Sequence, residues 1–368
     1  MSGTVGTNSG RVSGSIGSAG SGITTSSSDP EVDTNPSGGV GTVFTNTTSG
    51  ETYVCTDATT DENVWTNVGD GTGNVEPIPF NQGTQYGYTA GGASRTTTID
   101  RFSFASDGDA ADWADTSAAR SSTCGQSSAT NGYLAGGDSN YYIEKYPFAS
   151  QTQGAEIGTM SVDAARGTCA GASSETYGYI MGGGIPETNI IEKFSFSSDG
   201  DGTDVGNTLA VLRDTAGCSS LTHGYVVGGH PGSTPYLDVI QNFSFSSDGD
   251  SEDVGDLTGS IKLSACQNSA THGYQMGGSP SSGVYPTTDA IQRWSFASGT
   301  QNAAAVGDTT VGRMGSGSHS STTHGYQSGG GAGGAGNSIE KFAYGSDSDA
   351  TDVGDLTVSG NYMSGNQY

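Results

Sequence analysis

The chain has 368 residues and 62 Gly, and its 12 Lys+Arg against 38 Asp+Glu give a net charge of −26. Scattered cations on so acidic a chain repel phosphate, which excludes nucleic acid as a partner. No run approaches the ~20 apolar residues of a membrane helix. The first 30 residues lack the apolar segment of an ordinary signal peptide, so no membrane insertion is expected. The glycines have no three-residue period, which excludes collagen. Five Cys without a CxxC suggest neither a complete disulfide set nor a zinc site.

Residues 1–40 are mostly Gly, Ser, Thr and Asn. They cannot bury enough apolar surface to offset the cost of ordering a backbone, so an extended, disordered arm is expected. Residues 41–76 hold short strands and a linker. Val43 and Phe44, Tyr53 and Val54, and Val64 and Trp65 supply the apolar positions, with a turn at Ser49-Gly50. So small a module is expected to pack on a partner, on a copy of itself or on the next domain.

Residues 77–368 repeat. Gly-Tyr-x-x-Gly-Gly occurs six times, beginning at Gly87, Gly132, Gly178, Gly224, Gly273 and Gly325. Each is followed by a phrase such as IDRFSF (99–104), IEKFSF (191–196) or IQRWSF (291–296), whose two aromatics share a strand face. Four repeats then carry an acidic turn (SDGDAADW, SDGDGTDVG, SDGDSEDVG, SDSDATDVG), and two replace it with SQTQGAEIG and SGTQNAAAVG. Arg120, Arg166, Arg213, Lys262 and Arg313 precede a further strand rich in small residues.

Four strand-like phrases per 45–52 residues is the arithmetic of a propeller blade. The order of basic residue, Gly doublet, aromatic strand and final Trp or Val strand resembles the kelch family. Trp113 occupies the last position once, and Val205, Val254, Val306 and Val353 stand there otherwise. The fold expected is all-β: a six-bladed kelch-like β-propeller after a small β module and a low-complexity arm. NYMSGNQY (361–368) matches the small-residue strand without its basic residue and is expected to complete the first blade. PIPF (77–80) competes for the same place.

Loop lengths mark a binding face. From each Gly doublet to the next Ile the spacing is 7, 6, 8, 11, 13 and 9 residues, while from that Ile to the next doublet it is 37 to 39. Variation is thus confined to one loop type, and loops free of scaffold duty carry function. Tyr141, Tyr142, His230, Tyr236 and Tyr285 lie in these loops and are the candidate ligand-binding residues.

The acidic turns offer a candidate Ca²⁺ site at Asp107, Asp109 and Asp112, repeated as Asp199, Asp201 and Asp204, as Asp248, Asp250 and Asp253, and as Asp347, Asp349 and Asp352. The bland alternative is turn geometry and solubility, and no downstream Glu completes an EF-hand loop. The fivefold basic residue suits scaffold better than an acidic-sugar site. Cys124, Cys169, Cys218 and Cys266 read as small buried residues, with soft metal ligation as the alternative. His223, His272 and His324 exchange with Tyr and Asn between repeats, as surface positions do. No GxSxG, HExxH or phosphate-binding Gly loop is present, so no enzyme and no firm cofactor are expected.

GTVFTNTTSGETYVCTDATTDENVWTNVG (41–69) resembles small β modules of tailed-phage virion proteins, particularly those of marine cyanophages. IEKFSFSSDG and DVGDLT resemble repeats of such proteins. The resemblance implies a virion structural appendage, a tail fibre or receptor-binding protein, assembled in the host cytoplasm and exposed on the particle. Its first 70 residues would meet other virion proteins, and its propeller would meet a host surface glycan or protein, as a homo-oligomer. A capsid decoration protein or head fibre is one alternative, and a glycan-degrading depolymerase with paired carboxylates is another.

Overall fold

A computed structural model describes residues 23–69, 71, 80–92, 96–137, 140–161, 165–280, 287–297, 301–331 and 336–368. The chain divides into two compact units, Met1–Ile78 and Pro79–Tyr368. Every regular element among the described residues is a strand, and no helix is long and apolar enough to cross a membrane.

The first unit holds one sheet in the order Thr24–Ser26, Val43–Asn46, Thr52–Asp57, Val64–Asn67. Alternation buries Phe44, Tyr53, Cys55 and Trp65 on one face, and the Phe44 and Trp65 rings meet edge to face at 5.6 Å. The arm expected over residues 1–40 is corrected from residue 23 onward. Thr24–Ser26 pairs in parallel with Phe44–Asn46, and buried Asn63 donates through Nδ2 to the Val32 carbonyl at 2.7 Å. Backbone pairing and a buried amide therefore supply the order that composition denies. Residues 1–22 lie outside the described residues.

The second unit holds six four-stranded antiparallel sheets in a propeller-like series, with strands a to d in each. The first sheet is Ser364–Gln367, Tyr86–Ala90, Thr98–Ser103 and Ala111–Asp115. The second is Cys124–Ser127, Asn131–Ala135, Tyr142–Pro147 and Ala155–Thr159. The third is Ala170–Ser173, Tyr177–Met181, Thr188–Ser195 and Thr203–Leu212. The fourth is Ala216–Ser219, His223–Val227, Val239–Ser244 and Glu252–Asp256. The fifth is Ala265–Asn268, His272–Met276, Ala290–Ser295 and Ala304–Asp308, and the sixth is Gly317–Ser320, His324–Ser328, Gly336–Ala343 and Thr351–Gly360. Each strand a lies beside strand a of the next sheet, and that of the first sheet lies between those of the sixth and second.

The repeated residues stitch neighbouring sheets together. The Tyr of each Gly-Tyr stacks on the second aromatic of the following sheet: Tyr88 on Phe148, Tyr133 on Phe196, Tyr179 on Phe245, Tyr225 on Phe296, Tyr274 on Tyr344 and Tyr326 on Phe104, with centroids 4.7–5.0 Å apart. The preceding Gly leaves room for the first aromatic of its own sheet. A Cβ on Gly178 would stand 2.4 Å from the Phe194 ring. The doublet serves another contact. Gly136 and Gly137 adopt φ of +70° and +124°, and a Cβ on Gly136 would stand 2.4 Å from the Arg166 carbonyl of the third sheet. Only Gly accepts both the backbone conformation and the approach.

A polar ladder runs through the same sheets. Strand c carries a buried Glu, Gln or Asp that accepts a backbone N–H from the preceding sheet. The pairs are Ser117 to Glu144, Ser161 to Glu192, Leu209 to Gln241, Thr258 to Gln292, Thr310 to Glu340 and Thr357 to Asp100.

The place contested by PIPF is taken by Ser364–Gln367, which pairs with Gly87–Ala90. Residues 77–79 of that phrase lie outside the described residues, and Phe80 with Asn81 lines the gap between the a strands. Asn81 donates to the Ser219 carbonyl and accepts from Asn268 and Gln367, and Gly83 N–H donates to Ser320. The register explains the outcome: four backbone pairs are available to Ser364–Gln367 beside Gly87–Ala90, whereas Asn81 meets partners from three sheets at the ends of their a strands.

Candidate functional site

The b–c loops, whose lengths vary, leave one end of the sheets. The c–d turns and a–b turns leave the other, where Asn81 and Gly83 meet the ends of the a strands. The b–c face is built around a break in the repeat. In the second, third and sixth sheets the basic residue is buried and pairs with the strand-c Glu: Arg120–Glu144 at 2.6 Å, Arg166–Glu192 at 2.5 Å, and Arg313–Glu340. In the fourth and fifth sheets strand c carries Gln241 and Gln292, and the basic residues turn elsewhere.

Arg213 reaches Glu187 in the b–c loop of the third sheet at 2.9 Å. Lys262 stands 4.7 Å from the centroid of Tyr236 and 3.4 Å from Asp214. His230 packs on Tyr236 at 5.1 Å, and its Nδ1 accepts from Gly232 N–H at 3.0 Å. Burial, with Arg213 and Lys262 nearby, pushes the His230 imidazole below its usual range, so it is neutral at pH 7. This patch joins a guanidinium, an ammonium, a neutral imidazole, two carboxylates and an aromatic ring. Such a set offers both hydrogen-bond donors and acceptors to a polar ligand.

The candidate loop residues do not form one site. Tyr141 lies in the second sheet's b–c loop and Tyr142 opens its strand c, both half-buried, with rings 4.7 Å apart. His230 and Tyr236 belong to the fourth. Tyr236 is 7% exposed and underlies the patch, packed against Lys262 and His230. Tyr285 lies outside the described residues. Glu187, Arg213 and Lys262 were missed as site residues. The signal was present in the exchange of Glu for Gln at 241 and 292, which releases the cation.

The aspartates of the acidic turns each have protein partners. Asp107, Asp199, Asp248 and Asp347 bind Lys341, Lys145, Lys193 and Arg293, each on strand c of the preceding sheet. Asp109, Asp201, Asp250 and Asp349 accept backbone N–H groups of Asp355, Thr159, Asn207 and Asp308, again in the preceding sheet. Asp204, Asp253 and Asp352 accept from Gly206, Gly255 and Gly354 in their own strands. Asp112 pairs with Asp100 in the register of its own sheet. The aspartates thus face separate partners, and among the described residues no group of three or more His, Cys, Asp or Glu is placed to hold a metal ion.

Cys124, Cys169, Cys218 and Cys266 are buried free thiols. Sγ of Cys124 and Cys169 lie 2.9 Å apart, and burial pushes the Cys124 thiol well up. His223, His272 and His324 are half-buried, each 2.8 Å from the hydroxyl of the preceding Thr.

Comparison with known proteins adds the fold alone. No family model matches the chain, and no curated protein matches it. Solved structures do match, 294 chains in all. One of them, titled "Structure of YjhT", aligns over 66% of this chain and 86% of that one, with a TM-score of 0.56 and 13% identity. The likeness accords with a propeller-like, kelch-like arrangement of four-stranded sheets.

Proposed function

We propose that Pro79–Tyr368 is a six-bladed kelch-like propeller closed by Ser364–Gln367, and that it is the adhesive part of a virion appendage. In this reading the protein is a tail fibre or receptor-binding protein of a tailed phage. Closure is supported by the Thr357 to Asp100 bond, which repeats between the sixth and first sheets the contact that joins every other pair. The first unit would meet other virion proteins.

The observation that carries the adhesive role is the division of labour between the two faces. Loop-length variation and the released cations Arg213 and Lys262 stand on one face. The chain enters at the other, through Asn81 and Gly83. The ligand class is a surface glycan or protein, bound weakly at each copy and strengthened by multiplicity.

The test is binding of the full chain to glycan arrays and to intact bacterial cells, beside a variant with residues 231–235 shortened. Binding lost in the variant, with its melting curve preserved, supports the proposal. Equal binding by the variant, or none by the folded wild type, overturns it. Antibody labelling of purified particles tests the virion placement separately.

A further inference from the structure

Two thiols meet across a sheet boundary at the start of the a strands. Cys124 opens strand a of the second sheet, and Cys169 stands one residue before strand a of the third. Their Sγ atoms lie 2.9 Å apart although the residues are 45 positions apart in the chain. In the fourth and fifth sheets Ala216 and Ala265 hold the place of Cys124, and Thr215 and Ser264 hold that of Cys169. Small residues therefore serve the packing at both positions, and the fold does not require cysteine at either. The pair arises where one sheet carries Cys at the first position and the next sheet carries it at the second.

Apart from each other, the thiols reach only distant acceptors, the Ala135 carbonyl at 3.8 Å for Cys124 and the Arg166 carbonyl at 3.5 Å for Cys169. Both residues line a cavity of about 100 Å³, together with Ser122, Thr168 and Ser264. At about 30 Å³ per water, that volume admits a solute of a few heavy atoms. No third side chain joins the two sulfurs to hold a metal ion among the described residues. A disulfide bond of about 2.05 Å needs the sulfurs to approach by only roughly 0.9 Å more. The contact with Cys124 and the nearby Arg166 guanidinium hold the Cys169 thiol below its ordinary value against the effect of burial, whereas burial pushes Cys124 up. Cys169 is thus the readier thiolate.

We propose that Cys124 and Cys169 are a peroxide-sensitive dithiol that closes to a disulfide between the second and third sheets. Hydrogen peroxide is an oxidant small enough for the cavity. The Cys169 thiolate attacks one peroxide oxygen, the O–O bond breaks, and the hydroxide that leaves takes up a proton to become water. The Cys124 sulfur then attacks the sulfenic sulfur of Cys169. An S–S bond forms, the S–O bond breaks, and the departing hydroxide takes the Cys124 proton as a second water. The two thiols lose two electrons in all, and one peroxide is reduced to two waters. The cross-link adds a covalent stitch where the Ser161 to Glu192 bond and the Tyr133–Phe196 stack already join the two sheets. The site does not rest on the adhesive reading.

The test is treatment of the folded full chain with hydrogen peroxide, then thiol blocking, tryptic digestion without reductant and mass spectrometry. The expected product joins peptides 121–145 and 167–193, is lighter than their sum by two hydrogens, and disappears with dithiothreitol. Cys55, buried in the first unit, should stay reduced at peroxide levels that convert the pair. The melting midpoint of the oxidised chain should lie about 5 °C or more above that of the reduced chain. Cys124→Ala and Cys169→Ser install the residues of the fifth sheet, Ala265 and Ser264, and each should abolish both the linked peptide and the shift. The peptide map of wild type decides even where a variant does not fold. Absence of the 124–169 link from the folded chain, under peroxide that oxidises the urea-unfolded chain, overturns the proposal. So does equal oxidation of Cys55, a link that leaves the melting midpoint unchanged, or a shift that persists in Cys169→Ser.

Discussion

Glu192 and Gln241 hold equivalent places in the third and fourth sheets, and the difference between them decides where a cation goes. Glu192 is buried and holds Arg166 at 2.5 Å beneath the surface. Replacing Arg166 with Ala strands that carboxylate, and the expected loss is about 3–5 kcal/mol in urea unfolding. A double variant, Arg166→Met with Glu192→Gln, should recover most of the loss, because it removes both charges and keeps an acceptor for Ser161 N–H. His319 provides a pH-dependent counterpart. Its imidazole is buried against the Asn366 carbonyl and the Ser328 hydroxyl, and burial pushes it down to about 4. The unfolded chain takes up a proton below about pH 6.5 that the folded chain refuses until about pH 4. Stability from this group is therefore complete above pH 6.5 and falls as pH drops through that window, by roughly 3 kcal/mol at most. Urea midpoints against pH should be flatter for His319→Gln than for wild type. The sequence shows His319 only as one more residue of a small-residue strand, because its burial depends on Asn366, which is 47 residues away.

At the scale of the strand and turn, the glycines do more than the charges. Gly136→Ala meets both a left-handed φ and the Arg166 carbonyl, so a cost of about 1–3 kcal/mol from the backbone and more from the displaced sheet is expected in thermal melts. The Lys–Asp clasps are partly exposed at both ends. Lys193→Ala should cost no more than about 1 kcal/mol, less in high salt, because exposed ion pairs are weakly stabilising. Calcium or a chelator should leave the melting midpoint unchanged, since the aspartates of these turns already accept from lysines and backbone amides. The turns were legible as turns. Their partners were not, because each partner belongs to a different repeat with the same local pattern.

For the molecule as a whole, Ser364–Gln367 is the decisive segment. It supplies strand a of the first sheet and lies beside strand a of both neighbours. Deleting residues 361–368 exposes the backbone edge of Tyr86–Ala90 and uncovers Phe148, which stacks on Tyr368 at 5.3 Å. A lower melting midpoint and self-association in size-exclusion chromatography are expected, as an open strand edge recruits other chains. The first unit behaves differently from its composition. Its Gly/Ser/Thr-rich start is held from residue 24 by parallel pairing, a contact that no local propensity announces.

The sequence by itself determined the period, the strand content and the number of Gly-Tyr phrases. It also located the variable loops, because the spacing of Gly doublets and Ile-aromatic phrases records which segments are constrained. Those features are local: a Gly under a ring or a Tyr at a fixed offset needs the same residue in every copy. Tertiary structure decided the pairing of charges, the burial of Tyr236 and the place where the repeat is broken to effect. Each of these depends on a residue that a neighbouring sheet or loop supplies. Among near-identical repeats, only the arrangement in space settles which lysine faces which aspartate.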